Sequence, residues 1–137
     1  MSTEHKALIQ RWFDEVWNQG RAEAIDEMLA ENAVIQGLGP DLRGPSEFKP
    51  FHSSYLNAFP DITIRIDDLV AEGNMVTARW SGTGTHQGDG LGIPATGGQV
   101  QFNGMTIARV EQGKIVEGWN VFDQLGMFQQ LGFVNLP

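Results

Sequence analysis

Cysteine is absent from the 137 residues. That removes disulfides, thiolate nucleophiles and cysteine metal sites, while fixing no compartment. Positive charge is scarce, with nine Lys and Arg against seventeen Asp and Glu, a net charge of −8 and a pI near 4.7. Such a surface repels phosphate backbones, so nucleic acid is not an expected partner. No basic amphipathic run points to a membrane surface. Apolar runs are short, and none approaches the roughly eighteen residues a bilayer span needs. The opening MSTEHKALIQRWF has no basic region followed by an apolar stretch and a cleavage site, so a cytoplasmic location is expected. The three histidines, His5, His52 and His86, show no metal-ligand spacing, and no metal site is expected.

What is present is an ordinary globular composition, 41% hydrophobic and 19% charged, of a length suited to a single domain over 1–137 with one core. The first third reads helical. Leu8, Ile9, Trp12, Phe13, Val16 and Trp17 recur at helical spacing over 7–20, and Gly20 is a good stop. A second helix is expected over 21–32 and a short strand over 33–36, ending at Gln36. Ser46 is a candidate N-cap for a third helix, with Pro50 in its first turn or so and Pro60 as its terminator. Along that helix Phe48, Phe51, His52, Tyr55, Leu56 and Phe59 form one stripe.

From residue 62 onward the pattern has period two. Ile62, Ile64 and Ile66 alternate, as do Val76, Ala78 and Trp80, with Glu72-Gly73-Asn74 as the turn between them. A glycine-rich loop over 87–98 separates these from a hairpin of strands 100–110 and 114–122 around Gln112-Gly113, and a short helix closes the chain. The loop lacks a Gly-Lys-Ser/Thr ending and a strand-loop-helix context, so it is no phosphate loop. Helices first and consecutive antiparallel strands after them predict an α+β fold, with the helices on one face of a curved sheet.

The last strand poses the chemical question. In EGWNVFDQLG, Trp119, Val121 and Asp123 fall at spacing two and point the same way. If pairing runs back from Gln112-Gly113 without interruption, Ala108 faces Glu117, Thr106 faces Trp119, Gly104 faces Val121 and Phe102 faces Asp123. On that register Asp123 looks into an apolar surface beside the bare backbone of Gly104. A one-residue slip puts Asn103, Met105 and Arg109 on that face instead. Two roles stand open for Asp123. A carboxylate among apolar groups suits general acid/base work, whereas an Asp at the end of a strand also caps a following helix.

Other candidates carry paired readings. His86 is either a contact at a pocket mouth or an anchor for the glycine loop, and His52 is either a pocket group or a buried polar contact. Tyr55 is a hydrogen-bond donor to a ligand oxygen or a core ring with its hydroxyl at the edge. Trp12, Phe13, Trp17, Trp80, Phe102 and Trp119 suit a cavity for a flat, hydrophobic or aromatic ligand, with Gln36 pointing a polar group inward; the same aromatic residues are ordinary core formers.

The stretches RWFDEVWNQG, LRGP, FPD at 59–61, GTH at 84–86, GIPATG at 92–97, GKIVEGW at 113–119 and the Asp123 to QQLG spacing at 123–132 follow one another in an order that resembles the SnoaL-like polyketide cyclases. The resemblance implies the cone-shaped fold of nuclear transport factor 2-like proteins, with a deep pocket between helices and sheet. It also implies a homodimer and a cofactor-independent intramolecular aldol closure in which Asp123 moves protons. Carbonyl-flanked carbons are acidic enough for such a step without a cofactor. The cyclases place a histidine on the strand beside the acid, and residues 99–110 contain none. A non-catalytic binding protein on the same fold is therefore the alternative. Epoxide hydrolysis on this fold ranks last, because it needs an acid on that neighbouring strand, where only Arg109 is charged.

Overall fold

The computed structural model describes residues 2–134. Helix α1 (Ser2–Arg11) runs straight into a π-helical segment, Trp12–Asn18. Then come α2 (Ala22–Met28), β1 (Leu29–Gln36), β2 (Leu42–Arg43), α3 (Gly44–Ala58), β3 (Thr63–Glu72), β4 (Met75–Thr85), β5 (Gln99–Glu111), β6 (Lys114–Phe122) and α4 (Gln124–Gln130). The strands form one sheet in the order β2-β1-β6-β5-β4-β3, antiparallel throughout except for the parallel pair β1 and β6. The fold is α+β, a curved mixed sheet holding the helices against one face.

Period-two patterning places the core. Val76, Ala78 and Trp80 of β4, and Val100, Phe102, Ala108 and Val110 of β5, are all buried. They meet Trp12, Phe13 and Val16 of the π-helical segment, Phe48 and Tyr55 of α3, and Phe59 just beyond it. Aromatic rings join the layers, with Trp12 and Phe48 centred 5.2 Å apart and Phe13 and Trp80 6.0 Å apart.

Three local expectations are corrected. Helix α2 ends at Met28 instead of Asn32, because Leu29 is already extended (φ −102°, ψ 127°) and pairs with Ile115 of β6. Sheet pairing here overrides the helix propensity of Leu29, Ala30 and Glu31. Helix α3 starts at Gly44-Pro45 and not behind a Ser46 cap. Arg43 occupies the N-cap position, and its N–H donates to Glu47 Oε1 at 2.9 Å. Pro50 consequently lies in the second turn. Gly44 is required there: its φ is +66°, and a Cβ would lie 2.3 Å from the carbonyl oxygen of Glu31.

The third correction decides the site. The β5–β6 register shifts between Arg109 and Val110. Val110 pairs with Ile115, but Arg109 pairs with Glu117, leaving Val116 as the extra residue of a bulge. Beyond it Ala108 faces Gly118, Thr106 faces Asn120 and Gly104 faces Phe122, one residue away from the uninterrupted register. Gly118, Asn120 and Phe122 thus turn toward the helices, while Trp119, Val121 and Asp123 turn away from them.

Candidate functional site

A cavity of about 80 Å³ lies between the helices and the inner face of β4, β5 and β6. Its walls are mostly rings and aliphatic chains: Trp12, Phe13 and Trp17 from the π-helical segment, Phe48, Phe51 and Tyr55 from α3, and Trp80, Phe102, Ala108, Ile115 and Phe122 from the sheet. Trp17, Leu38, Phe51 and Phe122, like Thr106 and Asn120, are partly exposed, while the other side chains of the lining are buried. The volume is below the roughly 300–1,000 Å³ of ordinary ligand sites. A ring system enters only if some of these side chains swing aside.

Polar groups in the lining are few and joined to one another. Trp80 Nε1–H donates to Thr106 Oγ1 at 3.1 Å, and Thr106 Oγ1 donates to Asn120 Oδ1 at 2.8 Å. Asn120 Nδ2 donates to the backbone oxygen of Gln36 at 3.3 Å. The indole can only donate, so the threonine hydroxyl passes its own proton onward. A further polar group is Tyr55. Burial pushes the pKa of its hydroxyl above the usual range, against a smaller opposing effect of its hydrogen bond with Gln124. Among the described residues, no carboxylate, imidazole, lysine or arginine lines the chamber.

Of the residues singled out in the sequence, Trp12, Phe13, Trp17, Tyr55, Trp80 and Phe102 stand together around this cavity. Five others do not. Trp119 lies on the outer face through the Val116 bulge, with the Arg109 guanidinium 5.9 Å above its ring. Gln36 contributes only its backbone oxygen to the polar chain. His52 is buried behind the wall, where Nε2 donates to Val16 O at 2.6 Å and the ring stands edge-on to Trp17. Burial lowers its pKa below 6.5, an effect larger than the opposing bond to Val16.

His86 is fully buried at the neck of the glycine loop. Its Nδ1 accepts from Thr96 N–H at 3.2 Å, while its backbone closes the loop through Gly97 and Gly98 at 2.8 Å each. Asp123 is exposed at the end of β6. Its N–H extends the ladder to Asn103 O at 3.0 Å, and its Oδ1 accepts from Gly126 N–H at 2.8 Å, capping α4.

Sequence reasoning missed Asn120 and Thr106. The signal was present as two polar residues amid strongly apolar strands, but the bulge that turns both inward leaves no mark in the pattern.

The same geometry explains the ordered motifs. Asn18 of WNQG pairs its side-chain amide with both backbone groups of Ile64, at 2.6 and 2.9 Å. Gln130 of QQLG does the same to Gln101, at 2.7 and 3.0 Å. Asp61 of FPD accepts from the N–H and hydroxyl of Thr85, both at 2.7 Å, and these bonds lower its pKa. A model of the family described as SnoaL-like polyketide cyclase matches residues 7–131, a span that contains all of these clamps.

The chain belongs to the SnoaL-like polyketide cyclase family.

Among its relatives is the aklanonic acid methyl ester cyclase DauD of Streptomyces sp. (strain C5), 28% identical over 86% of this chain and 76% of that protein. Among solved structures, wild-type IdmH from Streptomyces antibioticus is 30% identical, with a TM-score of 0.81 over 93% of this chain and 98% of IdmH. TsrD from Streptomyces laurentii is 25% identical, with a TM-score of 0.87 over 98% of each chain. Membership of the SnoaL-like family supports a polyketide cyclase-type function. No described helix is long and apolar enough to cross a membrane.

Proposed function

We propose that this SnoaL-like chain is a small-molecule pocket protein of the polyketide cyclase type, which takes a flat, apolar, carbonyl-bearing ligand between its helices and the inner face of β4–β6. The supporting observation is the lining: rings and aliphatic chains around one short polar chain, together with Tyr55. Apolar walls with a few placed polar groups are the usual composition of small-molecule sites. Titration with an aromatic ketone such as 2-acetylnaphthalene, followed by quenching of the cavity tryptophans, tests this. Saturable quenching that disappears in Gly118→Leu supports it, and absence of saturable binding overturns it. The leucine side chain is expected to fill the chamber, since even a Cβ on Gly118 would stand 3.1 Å from Ile35 Cδ1.

For ring closure by an intramolecular aldol step, a carbon between two carbonyls loses a proton and its electron pair bonds to a distant carbonyl carbon. The oxygen of that carbonyl then takes a proton, so the step is redox-neutral and releases nothing. The described chamber lining supplies no base. A second reading assigns proton transfer to Asp123, the carboxylate directly after the cavity residue Phe122. To act, it must leave Gly126 N–H and turn across Phe122. Asp123→Asn separates the two roles, because asparagine caps a helix about as well as aspartate. Loss of cyclisation with binding intact supports the acid, and unchanged turnover leaves Asp123 as a cap.

A second copy of the chain is the proposed cover for the outer sheet face. There Met105, Ile107 and Val121 are exposed beside Trp119, flanked by charges of both signs at Arg79 and Asp68. Such a patch suits self-complementary pairing across a two-fold axis. A dimeric mass at micromolar concentration, reduced to a monomer by Val121→Glu, is the expected result.

A further inference from the structure

Donor bookkeeping in the polar chain of the cavity goes one step further than the function proposed above, on which it rests. The orientation of the Asn120 amide is fixed by its neighbours. The Gln36 carbonyl only accepts, so the amide nitrogen must face it. The amide oxygen then faces Thr106 and can only accept, so the threonine hydroxyl, which itself accepts from Trp80 Nε1–H, donates to Asn120 Oδ1. Every donor along the chain is therefore committed except one. The amide nitrogen of Asn120 carries two hydrogens, and only one serves Gln36, at a long 3.3 Å. Gly118, two residues before Asn120 on the same face, puts no side chain beside that nitrogen, where an added Cβ would stand in contact at 3.8 Å. Asn120 is half-buried and borders the apolar lining, where an uncommitted N–H costs more than an uncommitted lone pair.

We propose that Asn120 is the ligand-contacting anchor of the cavity, that its second amide hydrogen selects a ligand carrying an acceptor oxygen at this point (a ketone or ester carbonyl, or the enolate derived from it), and that Thr106 is the positioning residue that holds the amide. A carbonyl docked there is polarised by a neutral donor, which favours enolate character without placing a charge in the cavity. Thr106 acts through Asn120 and does not touch the ligand.

A matched pair of probes reads this directly. 2-Acetylnaphthalene and 2-isopropenylnaphthalene share shape and differ in one atom position, C=O against C=CH₂. The wild type is expected to bind the ketone about three- to tenfold more tightly, the range of one net hydrogen bond. Asn120→Leu is expected to abolish that preference while still binding the hydrocarbon. Thr106→Val reduces the preference, and Thr106→Ser restores it, which a purely space-filling role for Thr106 would not require. In the wild type, the Asn120 side-chain amide proton is expected to move downfield with the ketone and not with the hydrocarbon. That measurement stands even if Asn120→Leu fails to fold.

A ketone preference that survives Asn120→Leu, or an amide resonance indifferent to the carbonyl, overturns the anchor while leaving the cavity as a binding site. Failure of both probes to bind the wild type overturns the anchor and the proposed function together.

Discussion

Along β6, Gly118, Asn120 and Phe122 face the helices, while Trp119, Val121 and, just beyond the strand, Asp123 face the other way. The inner row lines the chamber and joins a hydrogen-bond chain. The outer row holds an exposed valine and an exposed acid that caps a helix. Neighbouring residues on one strand therefore belong to two different environments, and the assignment depends on a single unpaired residue, Val116. Chemistry inferred from residue type alone fails here, because a side chain's face decides what it can touch.

The most severe way to break the comparison is to insert one alanine between Glu117 and Gly118. With the Val116 bulge kept, the shift would bring Trp119 and Val121 inward and expel Asn120 and Phe122. Loss of a cooperative unfolding transition is expected in calorimetry. Next is Phe122 in the inner row: Phe122→Ala is expected to cost about 3 kcal/mol, measured by urea unfolding, whereas Val121→Ala in the outer row changes monomer stability by no more than about 0.5 kcal/mol. At Gly104 a Cβ would lie 2.3 Å from the Trp80 ring. Gly104→Val is expected to cost about 1–3 kcal/mol by overpacking in the same measurement. Asp123→Ala, which removes the cap, is expected to cost about 1 kcal/mol, and Asp123→Asn close to nothing.

The smallest effect concerns His52, packed behind the wall. Its pKa is depressed by burial, so the unfolded chain binds more protons than the folded one below the ordinary imidazole value of 6.5. Its contribution to stability is complete above that value and is lost as pH falls toward the folded pKa. Denaturation midpoints measured from pH 7.5 to 5 are expected to decline in the wild type and to decline less in His52→Gln, which keeps a donor for Val16. An unchanged slope would remove His52 from the account.

Much of the fold is legible in the residues. The helical stripe through Trp12, Phe13 and Trp17 and the alternation of Val76, Ala78 and Trp80 report burial directly, and the family resemblance rests on an ordered series that the family model matches. The motifs in that series turn out to be tethers. Asn18, Asp61, Thr96 and Gln130 tie loops and helices to backbone groups or to His86. Their chemistry is readable as polar residues, but their partners are distant in sequence and so cannot be paired from it. The helix ends at Met28 and Gly44 escape a local reading because strand pairing and a close backbone approach, both tertiary, outweigh propensity. The cavity's polar chain is hidden for a sharper reason. A bulge changes the face of every later residue while leaving composition and periodicity of the strand intact.

The most direct test of the account places a bound ligand relative to the two faces of β6. Intermolecular NOEs would be measured between 2-acetylnaphthalene and the methyl groups of the wild-type protein at saturation. Contacts are expected to Ile35, Ala108 and Ile115, which line the chamber. Contacts to Met105, Ile107 and Val121 instead would place the ligand on the outer face and contradict the account.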